Sequence, residues 1–185
     1  MTRRFAPWLL ALVACLAMVG LHAYTGERPQ EAVRSVPVGQ PGRLYDTTVT
    51  VNSWRIGQVL YSDDRFIGRS GVVFLAVNVT LATDGPQRRV SWQVGGEVGD
   101  RSFAPRERLS IPEPGFTITQ DVVFELDPGD LAGFTITFLD RAPIYAYDPQ
   151  VDVPLDISAE GAAAAVARSQ YDTVRAVTGR AGVIG

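Results

Sequence analysis

Lysine is absent from this 185-residue chain, and all 17 basic residues are arginine. Cysteine and histidine occur once each, as Cys15 and His22 near the N-terminus. The rest of the chain therefore forms neither an intramolecular disulfide nor a thiolate or imidazole metal site. A Ser-His or Cys-His catalytic pair is excluded there for the same reason. Carboxylates are the remaining source of acid–base chemistry. Basic charge is also in deficit. Removing Arg3 and Arg4, which precede any acid, from the 17 arginines leaves 15 against 20 acids, a balance of −5. A mildly acidic domain argues against non-specific nucleic-acid binding, which needs a basic footprint.

Charge is missing altogether from Phe5 to Tyr24, FAPWLLALVACLAMVGLHAY. At about 1.5 Å per residue these twenty residues span roughly 30 Å, the thickness of a bilayer's hydrocarbon core. Two arginines ahead of the run set an orientation with the N-terminus inside and the rest outside. The expectation is a single-pass signal anchor in the cytoplasmic membrane. Two alternatives stay open: cleavage after Leu21-His22-Ala23, and lipidation at Cys15, where Leu12-Val13-Ala14-Cys15 has the form of a lipobox. All three leave the remaining chain outside the cytoplasmic membrane. The arginine-only composition adds a genomic hint, since arginine codons are GC-rich, of a high-GC bacterium.

The domain plan follows. Residues 1–4 form a cytoplasmic stub and 5–24 the anchor. Residues 25–41, TGERPQEAVRSVPVGQP, are polar with three prolines and read as an extended linker. Residues 42–157 carry short period-2 segments separated by turn residues. Asp46 to Ile56 alternates but slips at Asn52-Ser53, the mark of a β-bulge. Gly71 to Thr83, GVVFLAVNVTLAT, is the strongest strand. It places Val73, Leu75, Val77, Val79 and Leu81 on one face, and Val72, Phe74 and Ala76 on the other. Apolar residues on both faces put it in the middle of a sheet. Arg89 to Val94 alternates and is expected to end at Gly95-Gly96, with Glu97 to Ala104 pairing back. Phe116 to Leu126 alternates with one break, at Gln120. Phe134 to Leu139 follows the turn Asp127-Pro128-Gly129-Asp130. Ile144 to Tyr147 and Val151 to Leu155 are short and flanked by proline, as edge strands are. Strands this short and this close leave no room for crossover helices. The fold class is therefore mainly β, an antiparallel two-sheet sandwich. Residues 158–185 add a helix over about 159–178, with Ser158 as N-cap, Glu160 in its first turn and Gly179 as its C-terminal glycine.

Two of these segments resemble a known family. Gly71 to Gly85, GVVFLAVNVTLATDG, and Pro112 to Leu126, PEPGFTITQDVVFEL, are similar to strands of the DUF4352 family and of the related immunoprotective secreted-antigen type of immunoglobulin-like β-sandwich, found in Gram-positive bacteria and especially actinobacteria. The resemblance covers about residues 42–140. It implies an immunoglobulin-like extracytoplasmic domain after an export segment, and it carries over no active-site residue. The chain departs from the family's common form in lacking lysine and in adding the C-terminal helix.

Candidate contact residues come from two places. Arg88, Arg89, Arg101, Arg106 and Arg108 fall within 21 residues, a patch for the phosphates of lipids or wall polymers or else the solvated face of a hairpin. Tyr145 and Tyr147 put aromatic rings beside a proline, where a partner strand or a glycan would dock or where the C-terminal helix would cover them. Asp63-Asp64 reads as a solvated loop. Asp127, Asp130, Asp140, Asp148, Asp152 and Asp156 would hold calcium only if their loops converged. Trp54 and Trp92 read as core. No catalytic residue, cofactor or metal is assigned. The expected function is a non-enzymatic binding or assembly module of the cell envelope, anchored through residues 5–24. Its partner would be an envelope protein or a wall polymer. The alternatives are a secreted or lipid-anchored ligand-binding protein and a carboxylate-dependent hydrolase of envelope carbohydrate.

Overall fold

A computed structural model describes residues 14–18, 33–85, 91–141, 149–169 and 172–184. Among the described residues eleven strands form two sheets: β1 (Val33–Ser35), β2 (Pro41–Leu44), β3 (Thr47–Ser62), β4 (Arg65–Thr83), β5 (Ser91–Val98), β6 (Arg101–Phe103), β7 (Phe116–Leu126), β8 (Thr135–Arg141), β9 (Gln150–Pro154), β10 (Thr173–Ala176) and β11 (Arg180–Val183). One helix, α1 (Ala159–Ser169), lies between β9 and β10. The first sheet has the order β1-β9-β8-β5-β6, and the second β10-β3-β4-β7-β11 with β2 also on β3. The molecule is thus a mainly β, two-sheet sandwich.

The β-branched run at the heart of the sequence lies in β4, central in its sheet between β3 and β7. Val73, Leu75, Val77, Val79 and Leu81 are all completely buried. They meet Phe124 and Leu126 of β7, Val49 and Val51 of β3, and Ile136, Phe138, Val151 and Val153 from the first sheet in one core. At about 1.5–3 kcal/mol per fully buried aliphatic side chain, this row is a main contributor to folding. The opposite face of β4 carries Phe74 and Ala76, which form a second cluster with Leu60, Val123, Val174 and Ala176. Both faces are therefore covered, as their composition requires. The bulge expected at Asn52-Ser53 is present as a register shift between Val51 and Ser53.

Several expectations are corrected. The linker expected over 25–41 gives way at Val33, because β1 pairs with β9 and Val36 is buried. The strand at Arg89–Val94 does not stop at Gly95-Gly96 but pairs with β8 through Glu97. A side chain at Gly96 would overlap the Phe134 ring, with a Cβ only 2.1 Å from its Cζ, so this glycine admits a core ring rather than ending a strand. The strand at Val151 is interior, between β1 and β8, not an edge. Two pairs, β1–β9 and β10–β3, are parallel, so the sandwich is not wholly antiparallel.

The largest correction concerns the tail. The helix expected over 159–178 ends at Ser169. Its start is as read: the Ser158 hydroxyl accepts the Gly161 N–H at 3.0 Å. The helix docks, with Ala162 and Val166 against the main core. From Thr173 the chain is extended, with Val174 and Ala176 buried and Thr173 and Arg175 exposed, a period of two. Gly179 adopts φ +67 between β10 and β11, not behind a helix. Residues 14–18 are helical and exposed, Cys15 among them. No helix among the described residues is long and apolar enough to cross a membrane. Most of the expected anchor, 5–24, and the strand at Ile144–Tyr147 lie outside the described residues.

Candidate functional site

The feature that positions a site is a mismatch of strand lengths. β5 pairs with β8 from Ser91 to Glu97 on one side. On its other side β6 pairs with it only from Gly96 to Val98. Residues 91–95 of β5 therefore have one edge open among the described residues. Among the described residues, the chain after β6 does not return to cover them. It crosses instead to β7, in the other sheet. There the Arg106 N–H donates to the Val123 carbonyl at 2.8 Å, and the Gly115 N–H donates to the Thr83 carbonyl at 2.8 Å. Between these points Gln120 acts. Its Nε2 donates to the Ser110 carbonyl at 2.7 Å, and its Oε1 accepts the Ser110 N–H at 3.0 Å. This explains the break in the alternation of β7: a buried amide stands on the core face because it holds residues 104–115 by both backbone groups of one residue.

A cleft of about 890 Å³ remains between the open edge of β5 and this connection. Trp92 and Val94 line one wall, and Phe103, Leu109 and Ile111 line the rest of its apolar surface. All five are half-buried. Arg106, Glu107 and Arg108 stand at its rim. The Arg106 guanidinium meets Glu125 at 2.5 Å and lies 5.5 Å from the centre of the Phe74 ring. Glu125 is also held by the Ser70 hydroxyl at 2.5 Å. Arg106 is therefore engaged by Glu125 and Phe74 on the outer face of the second sheet, whereas Arg108 is exposed and has no ion-pair partner among the described residues. A main-chain edge, an aromatic and aliphatic lining, and a rim carrying exposed Arg108 and Glu107 make a cleft suited to an extended, partly apolar chain.

Of the sequence-predicted contact residues, the cleft brings together Arg106 and Arg108. Arg101 stands apart, at the far end of the β5–β6 hairpin. It pairs there with Asp130 at 2.5 Å, with its guanidinium 5.3 Å from the centre of the Phe103 ring. Arg88, Arg89, Tyr145 and Tyr147 lie outside the described residues. Of the acids considered for calcium, Asp148 and the Asp140 side chain lie outside the described residues, and no group of three or more metal-ligating side chains occurs among those described. Asp130 is engaged by Arg101, and Asp152 accepts from Gln150 at 2.7 Å.

Asp63 and Asp64 are not simply a solvated loop. They form the two-residue turn of the β3–β4 hairpin, at φ +45 and +63. Asp64 pairs with Arg175 at 2.8 Å, and Asp63 accepts the Thr178 N–H and hydroxyl. Sequence reasoning also passed over Asp121. Its side chain is fully buried and accepts four hydrogen bonds: from Arg55 Nη1 at 3.3 Å and Nη2 at 2.6 Å, from Asn78 at 2.9 Å, and from the Val177 N–H at 2.7 Å. The local signal was a lone acid on the outer face of an apolar strand. Trp92, read as core, packs against the main core as expected, half-buried, and also forms a wall of the cleft.

No family model matches the chain, and no curated protein matches it. Among solved structures, the YjhA protein of Bacillus subtilis superposes with a TM-score of 0.43 at 15% identity, over 63% of this chain and 98% of that one.

Proposed function

We propose that this protein is a membrane-anchored, non-enzymatic binding module of the bacterial cell envelope, whose cleft takes an extended segment of a partner polypeptide. The observation that carries the reading is the open edge of β5 at residues 91–95, facing an apolar-walled cleft. An extended peptide added there gains main-chain hydrogen bonds worth about 0.5–1.5 kcal/mol each. Its alternate side chains meet Trp92 and Leu109, and an acidic residue meets Arg108. The uncharged run 5–24 and the two arginines before it support the anchor, with the sandwich on the outer side of the membrane. The immunoglobulin-like assignment, and membership of the DUF4352 type, rest on the resemblance at Gly71–Gly85 and Pro112–Leu126. These segments lie largely in β4 and β7, the centre of the scaffold, and supply no site.

The test is selection from a random decapeptide library displayed on phage, against the full chain in detergent micelles. The expected winners pair an aromatic or aliphatic residue with Asp or Glu, and lose binding when Arg108→Glu or Leu109→Asp is introduced. Selected peptides whose binding is unaffected by both substitutions would place recognition elsewhere and refute the cleft.

A further inference from the structure

The exposed large apolar side chains of the sandwich gather at its two ends, with Phe66 and Ile67 at the β3–β4 hairpin tip and the others at the opposite end. In the second sheet Thr47 pairs with Leu44 and with Thr83, Ala82 pairs with Thr117, and Phe116 pairs with Val183. The Gly115 N–H reaches the Thr83 carbonyl, and the Ile184 N–H reaches the Gly115 carbonyl at 3.1 Å. Tyr45, Phe116, Val183 and Ile184 therefore share one end of that sheet. All four are exposed, Phe116 by 42% and Val183 by 75%. In the first sheet Val33, also exposed, lies across from Gln150, and Gln150 from Leu139. The two sheets are aligned at this end, because Gly42 of β2 packs directly on Val151, the neighbour of Gln150. Val33 is the point at which the described sandwich begins, and only eight residues separate it from the uncharged run ending at Tyr24. Eight residues reach at most about 28 Å when fully extended.

We propose that this end of the sandwich, marked by Tyr45, Phe116, Val183 and Ile184, rests in the interfacial layer of the bilayer that holds the anchor. The proposal rests on the anchor reading given above. The short tether keeps this end, and not the β3–β4 hairpin tip at the far end of β4, next to the lipid. Aromatic and aliphatic side chains on a scaffold already tethered enter the headgroup boundary without further loss of translational freedom. The nearby charges argue for an apolar contact. Asp46, Asp84 and Glu113 flank the end, and Arg43 is engaged with Asp84 at 3.1 Å, so among the described residues no basic cluster stands there to draw it to anionic lipid. Docking is accordingly insensitive to salt and occurs on zwitterionic bilayers.

The experiment uses the full chain reconstituted in phosphatidylcholine vesicles, with an environment-sensitive fluorescent amino acid in place of Val183 or, separately, of Phe66. Phe66 is equally apolar and exposed, but stands at the opposite hairpin tip. Spin-labelled lipid bearing its quencher near the headgroup is expected to quench the probe at 183 about threefold or more strongly than the probe at 66. The ratio should persist in high salt and fall towards one when Phe116→Ser and Ile184→Ser are combined. Carbonate extraction runs in parallel. A chain that resists extraction but shows equal quenching at the two positions overturns the proposal and leaves the anchor standing. A chain that is extracted yet quenched at 183 upholds the surface and refutes the anchor, and one extracted and unquenched refutes both. Energy transfer between probes at 183 on different chains, without lipid quenching, would assign this end to a second copy instead.

Discussion

Replacing Asp121 tests how the tail is held. Its carboxylate is fully buried on the outer face of the second sheet and has four donors, three from side chains and one from the tail backbone at Val177. Asp121→Ala removes the acceptor for all of them. Truncating one member of a buried ion pair costs about 3–5 kcal/mol when the partner is stranded without water. Here the Arg55 side chain is 38% exposed and retains the Arg175 carbonyl as an acceptor at 2.5 Å. Part of that penalty is thus relieved by solvent, and the expected loss is about 2–4 kcal/mol. For a domain of this size that lowers the melting temperature by about 4–16 °C. Asp121→Asn should cost nearly as much, because its NH₂ group faces an Arg55 N–H donor in either orientation, together with the Asn78 amide or the Val177 N–H. The loss should be local first, with amides of Val174 to Val177 exchanging faster in the variant than those of β4. Urea unfolding of the full chain in detergent, followed by amide exchange, reads both quantities. A destabilisation below about 0.5 kcal/mol, or unchanged protection across β10, would refute the idea that this carboxylate fastens the tail.

Other outcomes follow from single contacts. Gly96→Ala places a methyl group against the Phe134 ring and should destabilise by about 1–3 kcal/mol in chemical denaturation; a neutral result would mean the ring moves aside freely. Gln120→Leu would complete the apolar alternation of β7, yet it strands both backbone groups of Ser110. It should cost about 1–3 kcal/mol and speed exchange of the Ser110 amide, whereas unchanged exchange would show that the connection is held by other means.

The sequence was most legible where a long period-2 pattern met burial on both sides. The β4 row, the bulge at Asn52-Ser53 and the Ser158 cap all follow from local residue chemistry. The tail was misread for a physical reason. Thr173 to Ala176 is too short to separate a period of two from one of 3.6. Val166, Val174 and Val177 also fall on a helical stripe that continues the alanine-rich start of α1. β1 offered no pattern in three residues, and its partner is more than a hundred positions away. Asp63 and Asp64 looked like ordinary loop acids, and Asp121 was passed over, because partners of all three, Arg175, Thr178 and Val177, lie in that misread tail. The cleft was the least legible feature. Arg106 and Arg108 were visible as charges. What creates the site, however, is that β6 stops short and the chain then crosses to β7, a property of register and not of residue type.

The proposed role of the open edge of β5 is to receive an extended polypeptide in the native envelope. The most direct measurement is photo-crosslinking from a benzoylphenylalanine at position 109, in the full chain expressed in its own membrane, with a second probe at the exposed position 69 as control. A discrete protein adduct is expected at 109 that is absent at 69, survives muramidase digestion, and disappears when Arg108→Glu is added. An adduct removed by muramidase, or equal adducts at both positions that ignore Arg108→Glu, would contradict it.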